Sequence, residues 1–134
     1  MDDRQDVPVD VETLSALAVE CLTGEGVADS ELSVSFVTED EIADLHRRYM
    51  DEDGPTDVLS FPLDETDEDG VRVLGDVVVC PAVAARNNPT EPASEMRLLL
   101  VHGILHLLGH DHEREDERAS MWEIQARYTG VTVP

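Results

Sequence analysis

"HGILHLLGHDH", residues 102–112, contains four of the chain's five histidines. Together with the preceding "SEMRLLLV" it predicts a long helix over 94–109 that is apolar nearly all round and is therefore buried. Gly109 is well placed for a left-handed cap at the C-terminal end of that helix. We expect this buried, histidine-bearing helix to form the centre of the fold.

The histidine spacing predicts a metal site. Residues four apart share one face of a helix, so His102 and His106 direct their rings to one point, and the reversal at Gly109 lets His112 return toward it. Three converging neutral imidazoles are typical of a zinc site with an open fourth position for water. The alternative is a group of core histidines bonded to backbone groups, although burying each unpaired ring costs about 2 kcal/mol or more. We therefore predict one Zn²⁺ per chain, held by His102, His106 and His112.

The same H-x3-H-x5-H spacing occurs in the metzincin proteases, which carry a glutamate directly after the first histidine as general base. That position is Gly103 here, so a zinc peptidase remains an alternative without its usual base. A glycine inside a helix costs about 1 kcal/mol relative to alanine. Gly103 therefore indicates either close approach of another backbone or of the substrate, or tight packing of the helix.

The charge of the chain is strongly acidic. There are 31 acidic residues against 9 basic ones, a formal net charge of −22, and every basic residue is arginine. The acids are spread along the chain, which argues against an acidic tail and leaves a polycationic partner or adaptation to high salt. We favour salt adaptation, because an acidic surface stays hydrated there.

The length of 134 residues predicts a single domain over 1–134. The N-terminal "MDDRQDVPVD" lacks the basic start and apolar stretch of a signal peptide, and no apolar run reaches the roughly 18 residues of a membrane span. Cys21 and Cys80 stand in no ligand-like spacing, so we expect both to be buried and reduced. These features predict a cytoplasmic protein without a membrane segment, and they leave its oligomeric state open.

The rest of the chain predicts an α/β (α+β) fold with one small mixed sheet and helices packed on it. The predicted elements are helices at 10–23, 38–50, 82–87, 94–109 and 115–128, strands at 31–37, 57–63 and 71–81, and an exposed connection at 64–70. Asp10 or Thr13 caps the first helix, and Thr38 opens the second with a capping box. Pro62 is expected to stop the second strand, and Gly75 to mark a bulge or a close approach.

Three ordered stretches resemble the YbeY family, the bacterial metal-dependent endoribonucleases of ribosomal RNA maturation. "HGILHLLGHDH" is similar to the family signature H-G-x-L-H-L-x-G-Y-D-H. "DGPTDVLSFP" looks like D-x-P-T-[DN]-V-L-S-F-P, and "LGDVVVCP" looks like L-G-D-I-x-I-x. Together the matches cover most of residues 31–128.

The resemblance implies a function as well as a fold. It implies zinc on His102, His106 and His112, with the "TDVLSFP" strand lining the cleft beside the metal. It implies cleavage of single-stranded RNA, usually at the 3′ end of small-subunit ribosomal RNA, with the small ribosomal subunit as partner and a role in ribosome quality control. A non-catalytic ribosome-assembly factor with structural zinc is the alternative, which an open three-histidine site disfavours, since structural zinc sites normally have four ligands.

Two positions depart from the family pattern. Many members carry arginine directly after the tyrosine that matches Tyr49, and lysine two positions further on; here these are Met50 and Glu52. Arg47 or Arg48 is a candidate for the lost RNA contact, and a solvated helix face is the alternative for both. The second departure is a histidine at 110 where the signature has tyrosine, and we favour a surface or supporting role for it over that of a fourth ligand or a proton shuttle.

Four further residues are candidates for the chemistry of the site. Asp111 and Asp57 are the candidate catalytic carboxylates, as general base or, for Asp111, as a group that orients a ligand histidine. Thr56 and Ser60 offer hydroxyl groups near a phosphate. The alternative for Asp57 and Thr56 is a role as turn caps, and for Asp111 a role in the turn itself.

Overall fold

The computed structural model describes residues 1–110 and 115–130, and within them it has five helices and four strands. The helices are α1 (Val11–Gly24), α2 (Glu39–Met50), α3 (Pro81–Asn87), α4 (Pro92–Leu107) and α5 (Glu115–Thr129). The strands are β1 (Asp2–Asp3), β2 (Glu31–Phe36), β3 (Val58–Thr66) and β4 (Arg72–Val79). The predicted α/β class and element order are confirmed, with β1 as an addition.

The strands form one open mixed sheet in the order β1-β2-β4-β3. β1 pairs parallel with β2, β2 pairs parallel with β4, and β3 pairs antiparallel with β4. Because Val58 pairs with Val79, the first residues of β3 lie beside the last residues of β4.

β1 was not predicted, because its two aspartates are exposed and carry no strand pattern. The strand exists through backbone bonding: its residues pair with Ser35 and Phe36, and the Arg4 N–H donates to the Phe36 carbonyl at 2.8 Å. A sheet edge offers unpaired backbone groups to any extended segment, so such pairing leaves no trace in side-chain periodicity.

The prediction that β3 stops near Pro62 is wrong, since the strand continues to Thr66. β3 is an edge strand, where a missing backbone N–H is tolerated, and its register with β4 shifts between Pro62 and Glu65. The predicted exposed connection shrinks to a turn at 67–70, in which the Asp67 carboxylate accepts the Val71 N–H at 2.9 Å.

Gly75 lies where β3 and β4 approach closely, as predicted. Its φ of +137° is one that side-chain-bearing residues rarely adopt, and an added Cβ would collide with the Phe61 carbonyl oxygen. The register between β2 and β4 also shifts just before this residue.

The predicted caps of α1 and α2 are present. The Asp10 carboxylate accepts the Thr13 N–H at 3.2 Å, so Asp10 is the cap of α1. The Thr38 hydroxyl accepts the Glu41 N–H at 3.2 Å, which is the threonine half of the predicted capping box; the Glu41 carboxylate contacts Arg4.

α4 is the buried centre of the fold, as predicted. Leu100, Val101, Ile104 and Leu105 are fully buried, and the helix packs against β3, β4, α1, α3 and α5. An apolar helix with neighbours on several sides needs no polar face.

The end of α4 has the predicted left-handed glycine. Gly109 has φ +95°; its N–H donates to the His106 carbonyl at 3.1 Å, and the His110 N–H donates to the Leu105 carbonyl at 3.0 Å. This pair of bonds is the Schellman motif. It reverses the chain directly after the histidine pair.

Both cysteines are free and fully buried, as predicted. Burial raises the pKa of the Cys21 thiol to about 12, and the charges of Glu25 and Glu20 add to the effect. Within the described residues, no helix combines the length and the apolar character that crossing a bilayer requires.

Candidate metal centre

His102 and His106 form the centre of the candidate site. Their ring centroids are 4.7 Å apart, with an interplanar angle of 72°. Both side chains are half-buried on one face of α4, as the four-residue spacing requires. Two imidazoles this close need a shared partner or separate hydrogen bonds to offset the cost of leaving water.

The histidine pair opens onto a cavity of about 290 Å³. Its lining comes from the end of α2, the start of β3 and α4: Met50, Asp57, Val58, Leu59, Ser60, His102 and His106. A second cavity of about 190 Å³ adjoins it and is lined by Asp57, Val58, Glu95, Leu98, Leu99, His102, Trp122 and Gln125. His102 and Asp57 therefore border both spaces.

The far side of the His102 ring is held by α5. The Nδ1 atom of His102 lies 2.6 Å from the Oε1 atom of Gln125, and Gln125 is only 2% exposed. The ring of Trp122 stands edge-on to His102, with the centroids 6.3 Å apart.

The sequence analysis did not single out Gln125. Its position one turn after Met121, a core residue of α5, is the signal that could have revealed a buried polar side chain.

Gly103 lets α4 pack tightly on the sheet. A Cβ at this position would lie 2.6 Å from a methyl group of Val77 on β4 and 3.3 Å from the Ser60 hydroxyl oxygen on β3. The Ser60 hydroxyl donates to the Gly103 carbonyl at 3.0 Å. Of the two explanations for this glycine, the structure favours helix packing, and it ties the strand at Ser60 directly to the histidine helix.

Asp57 and Glu95 are the carboxylates that line the second cavity. Asp57 accepts the Asn87 side-chain amide at 3.2 Å, and its backbone carbonyl accepts the Cys80 N–H at 2.9 Å. Burial, followed by the negative charge of Asp57, raises the pKa of Glu95. Sequence reasoning missed Glu95, although it stands two helical turns before His102, at a spacing that shares a helix face.

The predicted RNA-binding residues lie in different places. Ser60 lines the cavity, whereas Thr56 is outside its lining and has its hydroxyl 3.5 Å from the Asp57 carboxylate. Arg47 and Arg48 are exposed on α2, and both bind Asp44, at 2.7 and 3.2 Å.

Met50 and Glu52, the two positions that depart from the family pattern, lie in different surroundings. Met50 forms part of the cavity wall beside the histidines. Glu52 turns instead to His46, with 3.2 Å between its carboxylate and the Nε2 atom, while the Nδ1 atom of His46 lies 3.0 Å from the Gly54 carbonyl. His46, the fifth histidine, therefore belongs to a local contact outside the cavity.

His110, Asp111 and His112 follow the end of α4. The Nε2 atom of His110 lies 3.3 Å from the Glu25 carboxylate, which also accepts the Tyr128 hydroxyl at 2.7 Å. Asp111 and His112 lie outside the described residues. Among the described residues, no group of three or more histidine, cysteine or acidic side chains is arranged to hold a metal; the described part of the predicted zinc site is the pair on α4.

A half-buried His-x3-His pair that opens onto a cavity has the spacing and the nitrogen donors of a zinc-binding helix. Comparison with known proteins identifies the family of the chain. The family model described as "Endoribonuclease YbeY" matches residues 1–131. The chain belongs to this family, the YbeY endoribonucleases, which are hydrolases that act on RNA.

Individual relatives agree with this assignment. The chain is 50% identical over 131 residues to the endoribonuclease YbeY of Thermobifida fusca, a match that covers 89% of this chain and 83% of the relative. It is 48% identical to that of Beutenbergia cavernae, over 90% of this chain and 87% of the relative. The solution structure of TM1509 from Thermotoga maritima matches with a TM-score of 0.64 and 36% identity, over 89% of this chain and 78% of that one.

Proposed function

We propose that this protein is a zinc-dependent endoribonuclease that cleaves single-stranded RNA. Its cellular substrate is the 3′ end of small-subunit ribosomal RNA, which it matures in the cytoplasm on the small ribosomal subunit, with a part in ribosome quality control. Membership of the YbeY family supports the reaction class, and the histidine pair supports the metal dependence.

The proposal depends mainly on one observation: the rings of His102 and His106, with centroids 4.7 Å apart, open onto the cavity of about 290 Å³. Imidazole nitrogens are preferred zinc ligands, and His112, which follows the Schellman turn in the sequence, is the proposed third ligand. The donor set fits zinc, because imidazole nitrogen is a preferred zinc donor and Met50, Val58 and Leu59 supply an apolar wall beside the pair. When bound, a Zn²⁺ ion would polarise a phosphodiester oxygen and acidify an attacking water.

Polar groups of the two adjoining cavities have proposed roles around a bound phosphodiester. Asp57, at the border of both spaces, is a candidate to accept the proton of the attacking water, together with Asp111. Glu95, whose pKa is raised by burial and by Asp57, is a candidate to hold a proton for the leaving oxygen. Ser60 keeps the β3 wall at a fixed distance from α4 through its bond to the Gly103 carbonyl.

The test is cleavage of a single-stranded RNA, a duplex RNA and casein by the purified protein, before and after treatment with a chelator and after zinc is restored. The proposal expects cleavage of the single strand alone, lost with the chelator and recovered with zinc. Cleavage of casein would support the peptidase instead. Zinc binding without cleavage of either substrate would support an assembly factor with structural zinc.

Arg47 and Arg48 are the proposed RNA contacts in place of the family's arginine. Replacing either by alanine should cost about 1–3 kcal/mol of transition-state stabilisation in kcat/KM, the scale of a bond to a charged group. Arg4→Ala, which removes an exposed arginine bound to Asp2 and Glu41, is the matched control and should cleave like the parent. If all three variants cleave equally well, neither Arg47 nor Arg48 contacts the RNA.

A further inference from the structure

The contact between His102 and Gln125 joins two helices that are far apart in sequence. Gln125 is 2% exposed and comes from α5, and its Oε1 atom lies 2.6 Å from the Nδ1 atom of His102 on α4. An amide oxygen only accepts hydrogen bonds. With the Gln125 amide in this orientation, the contact selects the His102 tautomer that carries its proton on Nδ1.

The tautomer decides which nitrogen of the ring can bind a metal. In a neutral imidazole one nitrogen bears the proton and the other keeps a lone pair, and the hydrogen bond made by one nitrogen selects the state of the other. With Nδ1 protonated, the lone pair is on Nε2, on the other side of the ring from Gln125. The ring of Trp122, one turn earlier on α5, also stands edge-on to the His102 ring, so α5 contacts this ring through two side chains.

We propose that Gln125 is a positioning residue, whose amide oxygen holds His102 in the Nδ1-protonated tautomer and presents Nε2 as the ligand atom. This inference rests on the proposed zinc site. If it holds, α5 contributes to the zinc affinity through Gln125. Neither the spacing of the histidines nor the match to the family indicates this contribution.

Because the partner of His102 is an amide, it carries no charge. Partners that orient a metal-binding histidine are commonly carboxylates or backbone carbonyls. Gln125 supplies the accepting oxygen without a negative charge, so it does not offset the positive charge of a bound ion. In a chain with 31 acidic residues, a neutral partner preserves the attraction of the ion for an RNA phosphate.

The tautomer can be read directly in the metal-free protein. Nitrogen-15 NMR of the histidine side chains, at a pH where the imidazoles are neutral, distinguishes a protonated ring nitrogen from one with a lone pair. The inference expects a single tautomer at His102, with Nδ1 protonated. A proton on Nε2 of His102 in the native protein, or an even mixture of tautomers, would overturn it.

Variants then connect the tautomer to the metal. Gln125→Leu removes the acceptor at similar volume and should release His102 into a mixture of tautomers, with a zinc Kd raised about 10–100-fold. Gln125→Glu restores an accepting oxygen, so it should restore both the tautomer and the affinity. The matched control is Thr129→Val, which removes the hydroxyl that donates to the Gln125 backbone carbonyl at 2.8 Å and should leave both readouts unchanged.

Unchanged tautomer and affinity in Gln125→Leu would also contradict the inference, and if that variant fails to fold, the spectrum of the native protein decides. The two proposals fail separately. Absence of zinc binding by the native protein would contradict the proposed function, whereas the spectrum without metal tests Gln125 alone.

Discussion

At the scale of single residues, Glu95 shows how folding changes the chemistry of a side chain. Burial and the nearby charge of Asp57 raise its pKa, so the folded protein holds this proton more tightly than the unfolded chain does. Below the ordinary value of 4.5 both states are protonated and the group has no effect on stability. As the pH rises through the raised pKa, the cost of ionising Glu95 lowers the free energy of unfolding.

Glu95→Gln should remove this cost. In urea unfolding of the metal-free protein, the variant should be more stable than the parent at neutral pH, and the difference should shrink to nothing as the pH falls below 4.5. Glu123→Gln, at an exposed position on α5, is the control and should show no such trend. A variant that is no more stable than the parent at any pH would mean that Glu95 ionises without cost.

The residues of the site differ in how far the sequence predicts them. The His102–His106 pair follows from spacing within one helix, which needs no knowledge of the tertiary structure. The contact between Gln125 and His102 depends on how α5 docks against α4, 23 residues later, and no local pattern encodes that docking. Glu95 could be predicted in part. Its spacing from His102 can be read from the sequence, whereas its burial depends on the tertiary structure.

At the scale of elements, the fold depends on how closely α4 approaches the sheet. Gly103 faces Val77 on β4 at a distance that leaves no room for a Cβ, and the Ser60 bond fixes β3 to the same turn of α4. The cavity wall and the histidine pair are therefore held in one rigid arrangement.

Gly103→Ala should lower the free energy of unfolding by about 1–2 kcal/mol, because overpacking outweighs the gain of about 1 kcal/mol in helix propensity. Urea unfolding measures the change. Val77→Ala removes the methyl groups that the new Cβ would meet, so Gly103→Ala should be neutral or stabilising in that background. An equal loss in both backgrounds would show that the clash with Val77 is not the cause.

Elements with a strong side-chain pattern were predicted within about two residues of their observed ends. α4 was expected at 94–109 and spans Pro92–Leu107, because its apolar residues and its glycine cap are local signals. β1 and the extension of β3 to Thr66 were missed, because both depend on backbone pairing with a neighbouring strand. Edge position also explains why Pro62 did not end β3.

At the scale of the whole molecule, the net charge of −22 sets how the protein meets a polyanion. Much of the positive charge is already paired: Arg47 and Arg48 bind Asp44, and Arg86 binds Glu39. Long-range repulsion should therefore oppose the approach of RNA at low salt. At about 1 M salt the Debye length is about 3 Å, which screens that repulsion.

Raising KCl from about 0.05 to about 2 M at fixed zinc should raise the unfolding midpoint by roughly 5 °C, as acidic repulsion is screened. Cleavage of RNA should rise or hold over the same range, whereas ordinary nucleic-acid binding weakens with salt. Thermal unfolding and initial cleavage rates measure the two effects. A steep fall in cleavage with an unchanged or lower midpoint would instead indicate a basic partner that neutralises this surface.

Metal content is the sharpest test of the proposal that the histidine pair of α4 holds a zinc ion on which the activity depends. His106→Ala and His46→Ala each remove one histidine; the first comes from the cavity and the second from the separate contact with Glu52. After zinc loading and removal of excess ion, elemental analysis should find about one zinc per chain in the parent and in His46→Ala, and most of it lost in His106→Ala. Full occupancy in His106→Ala, or no bound zinc in the parent, would show that this pair is not the metal site.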